Sequence, residues 1–589
     1  MLILMYMAFL FVFAASLTGW GALAMPADRE WPARFGAGSL VVFFLVAAAG
    51  WSRILVPGVL WVLLAAGLLL WARPGRFSRP PGILLISLFG LTVLPLVLLP
   101  PVSRDALIHH LYQARLWLET GGIVRPRWSG FFSYPYLTES FYALTGGTFG
   151  FRVSRAVSFI GFLAACSVPV SWFLRRGRKR EAVISLLVLL SIPELFRNAS
   201  WSYSDTFLIF FSLLAYMELV KEKGSPVMAV IWAAGAACCK YNGFLVLASV
   251  CVLIPFHFRG ISRNRIITAV LGGLFISAWW AVPNLVQWGN PAYPLLRSIF
   301  GPADTLTARA ADYFAIAPFS SSLDGFLDYL LLPVRISLHG QWNDPALFDG
   351  AGGPLLLAGT IIAIPVLRGK RRKFALPLLY MLLTVAFKGA GLRTRYLLPG
   401  MAMLAVPVSE ALSGLLDSSR PVSRYAIVLL MAGCLVWSGG KVVRLYEEER
   451  PWELPPDGSY LSRRLPGYDF FSQCDRFVTP GDTTLMVNII RVFYYPGHAV
   501  FSDVRAPLDL VRMFWEGMEA GEVADSLRRA GVSHLAADML LTSINVPPVL
   551  EDNELVEWRD FMSRCMTPLL SVDRFILFRL GGPGEWRMD

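Results

Sequence analysis

The sequence predicts an α-helical polytopic membrane protein of about fourteen spans, with extracytoplasmic loops and a small C-terminal α/β domain. Three observations predict it. Long apolar runs recur from residue 2 to residue 440 in a chain of 589 residues that is 55% hydrophobic and 16% charged, whereas a water-soluble chain of that length would divide into several domains of mixed composition. The basic residues gather in short loops between those runs. After about residue 441 the long runs give way to short ones and charges become frequent.

The first run, residues 2–24, has no basic residue ahead of it and is long for the apolar core of a signal peptide, so it reads as a retained span, with cleavage after Ala24 as the alternative. Further runs lie at 36–51, 54–72, 83–101, 153–174, 182–196, 204–220, 226–241, 243–256, 266–285, 354–367, 374–389, 396–414 and 425–440. Several fall short of the roughly 20 residues that cross a bilayer, and the pairs within 36–72 and 226–256 are open to reading as hairpins or broken helices. The basic clusters RPGRFSR (73–79), RRGRKR (175–180), FRGISRNR (258–265) and RGKRRK (368–373) all fall on one side when the spans alternate from an outside N-terminus. An excess of Lys and Arg marks the cytoplasmic side. The net charge of +12 therefore reports topology. No basic surface with interleaved aromatics remains for nucleic acid, which excludes that class of partner.

The same alternation places three polar stretches outside the cytoplasm: a first loop at 102–152, a long loop at 286–353, and everything after about 441. The expected organisation is then extra N-terminal spans in 1–82, a transmembrane module in 83–440, and an extracytoplasmic soluble domain in 441–589. Within that domain TLMVNIIRVFYY reads as a strand, EVADSLRRAG as a helix closed by Gly531, and VSHLAAD and RFILFRL as two more strands. Cys166, Cys238, Cys239, Cys251 and Cys434 lie in apolar runs. Cys474 and Cys565 lie in the exported part, where a disulfide and two free thiols are both open.

Polar residues gather at one face of the apolar module. In DALIHHLYQARLWLETGG (105–122), Leu107, Leu111, Ala114, Trp117 and Leu118 recur at helical spacing and Gly121 with Gly122 supplies a stop, which predicts an amphipathic helix on the membrane surface. Asp105 and His109 stand four residues apart on one face of it, followed by His110. The plainer reading is a helix-start aspartate favoured by the macrodipole. Glu139 shares the loop. Asp205 stands at the mouth of a span, either in a site or capping the helix that follows. Lys240 and Tyr241 interrupt an apolar pair near the same face, where a lysine can also snorkel to the interface. Arg393, Arg395 and Tyr396 stand where the chain returns to the membrane. His339, Asp344 and Asp349 fall in HGQWNDPALFDGAGGP, whose Gly, Pro and Asp content predicts turns, and are left outside the site.

In order and sidedness these short motifs resemble the GT-C glycosyltransferases, the polytopic family that includes protein O-mannosyltransferases and the lipid A aminoarabinose transferase. The resemblance covers residues 83–440 and extends to the C-terminal part through GVSHLAAD; the three spans before residue 83 are additional. It implies a multi-pass protein of the plasma (inner) membrane that transfers a sugar from a polyprenyl-phosphate carrier to a lipid, glycan or protein acceptor on the outer side. By position it implies Asp105 as the base, assisted by Glu139, with His109, His110, Asp205, Lys240, Tyr241, Arg393, Arg395 and Tyr396 binding substrate. Asp105 lacks the neighbouring acidic residue of the protein O-mannosyltransferases and is followed by two histidines, which departs from that branch. The chemistry suits the residue types. A groove between helices must hold the donor's lipid tail while cations at the interface hold its phosphate, and an acceptor hydroxyl needs a base. No cofactor is required, although Asp105, His109, His110 and Glu139 offer donors that suit a divalent metal ion. The alternatives are an oligosaccharide ligase using a pyrophosphate-linked carrier and a lipid or sugar transporter. Against a transporter, the polar residues gather at one face instead of the midplane, and no inverted repeat is visible.

Overall fold

A backbone in lipid must satisfy its own hydrogen bonds, so apolar runs of this kind fold as helices. In the computed structural model each run named above is helical over most of its described residues. The structure describes residues 2–26, 30–73, 82–126, 128–258, 260–300, 323–388, 391–418, 420–453, 457–501 and 508–581. The basic loop at 73–79, apart from Arg73, and Arg259 of the loop at 258–265 lie outside these residues, as does 301–322 of the long loop.

The N-terminal helices are α1 (Leu2–Ala24), α2 (Trp31–Trp51), α3 (Pro57–Ala72) and α4 (Ile83–Val97). Two helices of the first loop follow, α5 (Leu111–Thr120) and α6 (Leu137–Gly146). The remaining bundle comprises α7 (Ser154–Leu174), α8 (Lys179–Leu190), α9 (Pro193–Ala199), α10 (Asp205–Val220), α11 (Pro226–Cys239), α12 (Asn242–His257), α13 (Arg263–Trp288), α14 (Pro354–Val366), α15 (Arg372–Lys388), α16 (Thr394–Leu416) and α17 (Pro421–Glu449). Among the described residues six helices are long and apolar enough to cross a membrane, or seven if α8 and α9, bent by 81°, form one span. The others are shorter, and the expectation of about fourteen crossings counts these short helices as spans as well.

The first helices pack on one another and on α10. Gly38 of α2 faces Leu17 of α1 so closely that a Cβ there would lie 1.7 Å from the Leu17 carbonyl oxygen, and Phe35 stacks on Phe207 and meets Phe210 edge-on. α10 is buried from Asp205 to Leu219. α16 is buried from Thr394 to Ser413 apart from Tyr396. These two helices form the centre, against which α7, α11, α8 and α14 pack. At the periphery α13 and α17 expose Leu271, Leu274, Phe275, Leu429 and Val436. A face of that composition belongs against lipid.

The segment 105–122 departs from the expected surface helix. It begins with a π-helical turn, Ala106–His110, and continues into α5, which ends at Gly121 in the left-handed conformation (φ 65°). Leu107, Leu111, Ala114 and Trp117 join the bundle core. Ile108, Tyr112 and Leu116 form a second apolar stripe, which joins Phe470, Phe471 and Tyr495 of the C-terminal part. Two apolar faces bury the helix between bundle and C-terminal part instead of leaving it on the membrane. Polar contacts fix it there: the Tyr112 hydroxyl donates to the Ala499 carbonyl at 2.8 Å, and Arg115 donates to the carbonyls of Phe493 at 2.8 Å and Tyr495 at 2.7 Å.

After α17 the chain forms a five-stranded mixed sheet of order β2-β1-β3-β5-β4. Its strands are β1 (Thr483–Val487), β2 (His498–Phe501), β3 (Val532–Asp538), β4 (Met566–Val572) and β5 (Phe575–Leu580). β1 pairs parallel with β2 and β3, while β5 runs antiparallel to β3 and β4. The run expected as one strand over TLMVNIIRVFYY leaves the sheet at Asn488, whose φ is 57°. Alternating residues of β1 and β3 face two apolar clusters, with Leu485, Val487, Leu535 and Ala537 on one side and Met486 and Ala536 on the other. Cys565 lies in the first cluster and Cys474 in the second, both buried and free.

Candidate active site

The site lies where the π turn, α6, and the ends of α10, α11, α15 and α16 meet. A π turn carries an i→i+5 hydrogen bond, here from the Leu111 amide to the Ala106 carbonyl. His109 and His110 both point inward, their ring centroids 4.1 Å apart. His110 Nδ1 lies 2.5 Å from Oε1 of Glu139, and both side chains are buried. His109 stacks on Phe131 at 5.0 Å. Asp105 stands just before the turn. Its amide donates to the Tyr203 hydroxyl at 3.3 Å, and its Oδ2 lies 2.8 Å from an Nη of Arg395 in the first turn of α16.

Lys240 sits in extended backbone between α11 and α12. Its Nζ donates to both oxygens of Asp205, at 3.1 and 3.0 Å. Asp205 opens α10, and no side-chain capping bond forms there. In place of the capping reading of Asp205 and the simple snorkelling reading of Lys240, the two form an ion pair in which Asp205 is buried and Lys240 partly exposed. Arg393 donates to Asp349 at 3.0 Å, and Asp349 also accepts from Arg197 at 3.3 Å. Arg197 reaches Glu194 at 3.0 Å.

Nine of the ten residues singled out in the sequence line one cavity of about 230 Å³: Asp105, His109, His110, Glu139, Lys240, Tyr241, Arg393, Arg395 and Tyr396. The tenth, Asp205, stands behind Lys240. Five buried polar atoms without a partner belong to residues of this wall: His109 Nδ1, Glu139 Oε2, Ser204 Oγ, Asn242 Nδ2 and Arg395 Nε. Such atoms are costly to bury unless a ligand or water meets them. A second cavity of about 290 Å³ lies alongside. Arg104, Asp105, Arg393 and Arg395 line both, so the Asp105–Arg395 pair forms part of their common wall.

The loop groups are tuned in opposite directions. Burial opposes ionisation of Asp105, but the Arg395 guanidinium outweighs it and holds the carboxyl well below the usual range. Burial, reinforced by the charge of Lys240, brings His110 down to about 3. His109 is likewise held well below its ordinary value by burial and by His110. Burial pushes Glu139 up to about 7. At neutral pH the site therefore holds an ionised Asp105, two neutral imidazoles, and a Glu139 poised to lose its proton.

Sequence reasoning missed Lys388, Arg104 and Asp349. Lys388 lies 4.6 Å from the centroid of the Tyr396 ring and lines the first cavity; as a lone lysine ending an apolar run, it carried the same signal as Lys240. Asp349 was hidden among turn-forming residues. Among the described residues no group of three or more His, Cys, Asp or Glu is placed to hold a metal ion.

In fold the chain is similar to GT-C polytopic membrane glycosyltransferases of known structure. The structure of ArnT from Cupriavidus metallidurans in the apo state matches with a TM-score of 0.50 at 15% identity, covering 85% of this chain and 99% of that one. The same protein bound to undecaprenyl phosphate matches at 0.49 and 16% identity, covering 86% and 100%. The arabinofuranosyltransferase AftD from Mycobacteria matches at 0.46 and 15%, covering 85% of this chain and 40% of that one. Residues 129–315 match the family model described as a domain of unknown function (DUF8201). No curated protein of similar sequence was found.

Proposed function

We propose that this protein is a membrane glycosyltransferase that moves a sugar from a polyprenyl-phosphate carrier to an acceptor on the extracytoplasmic side. The observation that carries this reading is the placement of Asp105 in the wall between two cavities. A base in glycosyl transfer must reach the acceptor hydroxyl while the cations beside it hold the donor phosphate. The first cavity suits the donor. It is bordered by the ends of α11, α12, α15 and α16, and α12 and α15 turn Val252, Phe256, Leu378 and Leu382 outward, where a lipid tail can lie. Lys240, Lys388 and Arg395 supply positive charge for the phosphate. The second cavity, bordered by Asn343, Glu449, Arg464 and Arg491, suits the acceptor.

In the proposed step the acceptor oxygen attacks the anomeric carbon and its proton passes to the Asp105 carboxylate. The bond from that carbon to the phosphate oxygen breaks, and its electron pair leaves with the polyprenyl phosphate. Arg395 serves twice: in the free protein it pairs with Asp105, and a bound phosphate competes for the same guanidinium. That competition weakens the hold on Asp105 and raises its basicity once donor is present. Glu139, with His110 fixing its Oε1, offers Oε2 to the reacting groups.

The test is mass spectrometry of polyprenyl-phosphate sugars in cells lacking the protein, complemented with wild type or Asp105→Asn. Accumulation of one carrier-linked sugar that only the wild type relieves is expected. The variant should fold and insert, with turnover lowered by about 10²- to 10⁴-fold, the span of general-base contributions. Relief by Asp105→Asn refutes the base assignment, and an unchanged carrier pool in an active pathway favours transport over transfer.

A further inference from the structure

We propose that the second cavity recognises an acceptor bearing an oxyanion, a phosphate or carboxylate group, beside the hydroxyl that receives the sugar. This rests on the transfer reading above and names its acceptor class. Five arginines line the cavity: Arg104, Arg393, Arg395, Arg464 and Arg491. Three are matched by carboxylates within it, Arg393 by Asp349 at 3.0 Å, Arg395 by Asp105 at 2.8 Å, and Arg464 by Glu449 at 2.9 Å. Among the described residues Arg104 and Arg491 have no carboxylate within ion-pair distance, which leaves these two arginines of the cavity without a matched carboxylate there. Arg491 is half-buried, and burial together with the neighbouring Arg104 charge lowers its pKa.

Like charges brought together in a partly desolvated wall need an external anion to offset their repulsion. Two guanidinium forks suit the oxygens of a phosphate or carboxylate. Their position ties that anion to the chemistry. Arg104 adjoins Asp105 in sequence, and Arg491 belongs to the stretch that leaves the sheet after Asn488. That departure from the expected strand brings Arg491 to the cavity. Trp201 and Tyr203 complete the wall with aromatic surface on which a sugar ring can pack.

The test uses the purified full-length chain in detergent. Its melting temperature is followed against inorganic phosphate, with chloride matched for ionic strength, and separately against undecaprenyl phosphate. Phosphate should stabilise the wild type. Arg491→Gln should weaken that response about tenfold in apparent Kd, the loss of roughly one charge-assisted contact, while keeping the response to undecaprenyl phosphate. Lys388→Gln should do the reverse. Glucuronate in place of phosphate separates the two anion types, the larger Arg491-dependent shift naming the group. If Arg491→Gln does not fold, Arg491→Lys, which keeps the charge and loses the fork, carries the phosphate arm. A wild-type phosphate response in Arg491→Gln, or loss of its undecaprenyl phosphate response, overturns the proposal. A wild type that answers phosphate through Arg491 but ignores undecaprenyl phosphate keeps the anion site and overturns the donor reading.

Discussion

Glu139 and His110 show how burial sets the chemistry of single residues. Oε1 and Nδ1 lie 2.5 Å apart with both side chains buried, Glu139 is pushed up to about 7 and His110 brought down to about 3. Burial favours the neutral form of both groups, so a proton that titrates near neutrality belongs to the pair. A raised carboxyl pKa means the neutral acid below it and the carboxylate above it. If Glu139 assists as a carboxylate, kcat/KM for transfer rises between about pH 6 and pH 8, because a base is effective only when deprotonated. Glu139→Gln should flatten that limb. A limb near pH 7 that persists in Glu139→Gln assigns the titration elsewhere. Asp105, held ionised by Arg395, contributes no limb in this range.

At the scale of elements, the segment after α4 explains both what the sequence made legible and what it concealed. Spacing identified a helix, its Gly121 stop and the residues Asp105, His109 and His110. It did not reveal the π turn, because an i→i+5 bond is chosen by the packing of Ile108 and His110 against partners far along the chain. Nor did it reveal that the helix is buried on two sides, since Ile108, Tyr112 and Leu116 read as a surface stripe until their partners at 470–501 are in place. Asp349 escaped for a similar reason: its pairing with Arg393 and Arg197 depends on the fold of a Gly-rich loop and leaves no periodic trace. In the C-terminal part Val532–Asp538 matched its expected span, whereas β2 and β4 lacked the apolar runs that found the other strands. Arg115 gives this element a direct test. Its donors to the carbonyls of Phe493 and Tyr495 join α5 to the C-terminal part, and hydrogen bonds from a charged group contribute about 2 kcal/mol each. Arg115→Ala should lower the melting temperature and speed amide exchange around residues 493–499, with exchange in α7 and α10 unchanged. Protection at 493–499 equal to the wild type rules out this role for the arginine.

Across the whole molecule, α16 relates the site to the basic loops. It begins with Arg395 at Asp105 and ends at Asp417, whose carboxylate pairs with Arg180. Near that far end Glu410 binds Arg178 at 2.7 Å and also pairs with Lys373. Two basic loops, 175–180 and 368–373, thus converge at one end of a helix of 23 residues. At 1.5 Å per residue it is roughly 34 Å long, close to the hydrocarbon thickness of a bilayer. Lys and Arg concentrate on the cytoplasmic side, and the transfer reading proposed above takes the site to face the opposite, extracytoplasmic side. Single cysteines test this directly. Gly369 lies in a basic loop and Asp475 beyond α17, both exposed, and among the native cysteines of the described residues Cys251 alone is exposed. In a Cys251→Ser background, a membrane-impermeant maleimide applied to spheroplasts should label Asp475→Cys at once and Gly369→Cys only after permeabilisation. The reverse order would place the site in the cytoplasm, where a donor displayed on the outer leaflet could not reach Asp105, and the transfer reading would fail with it.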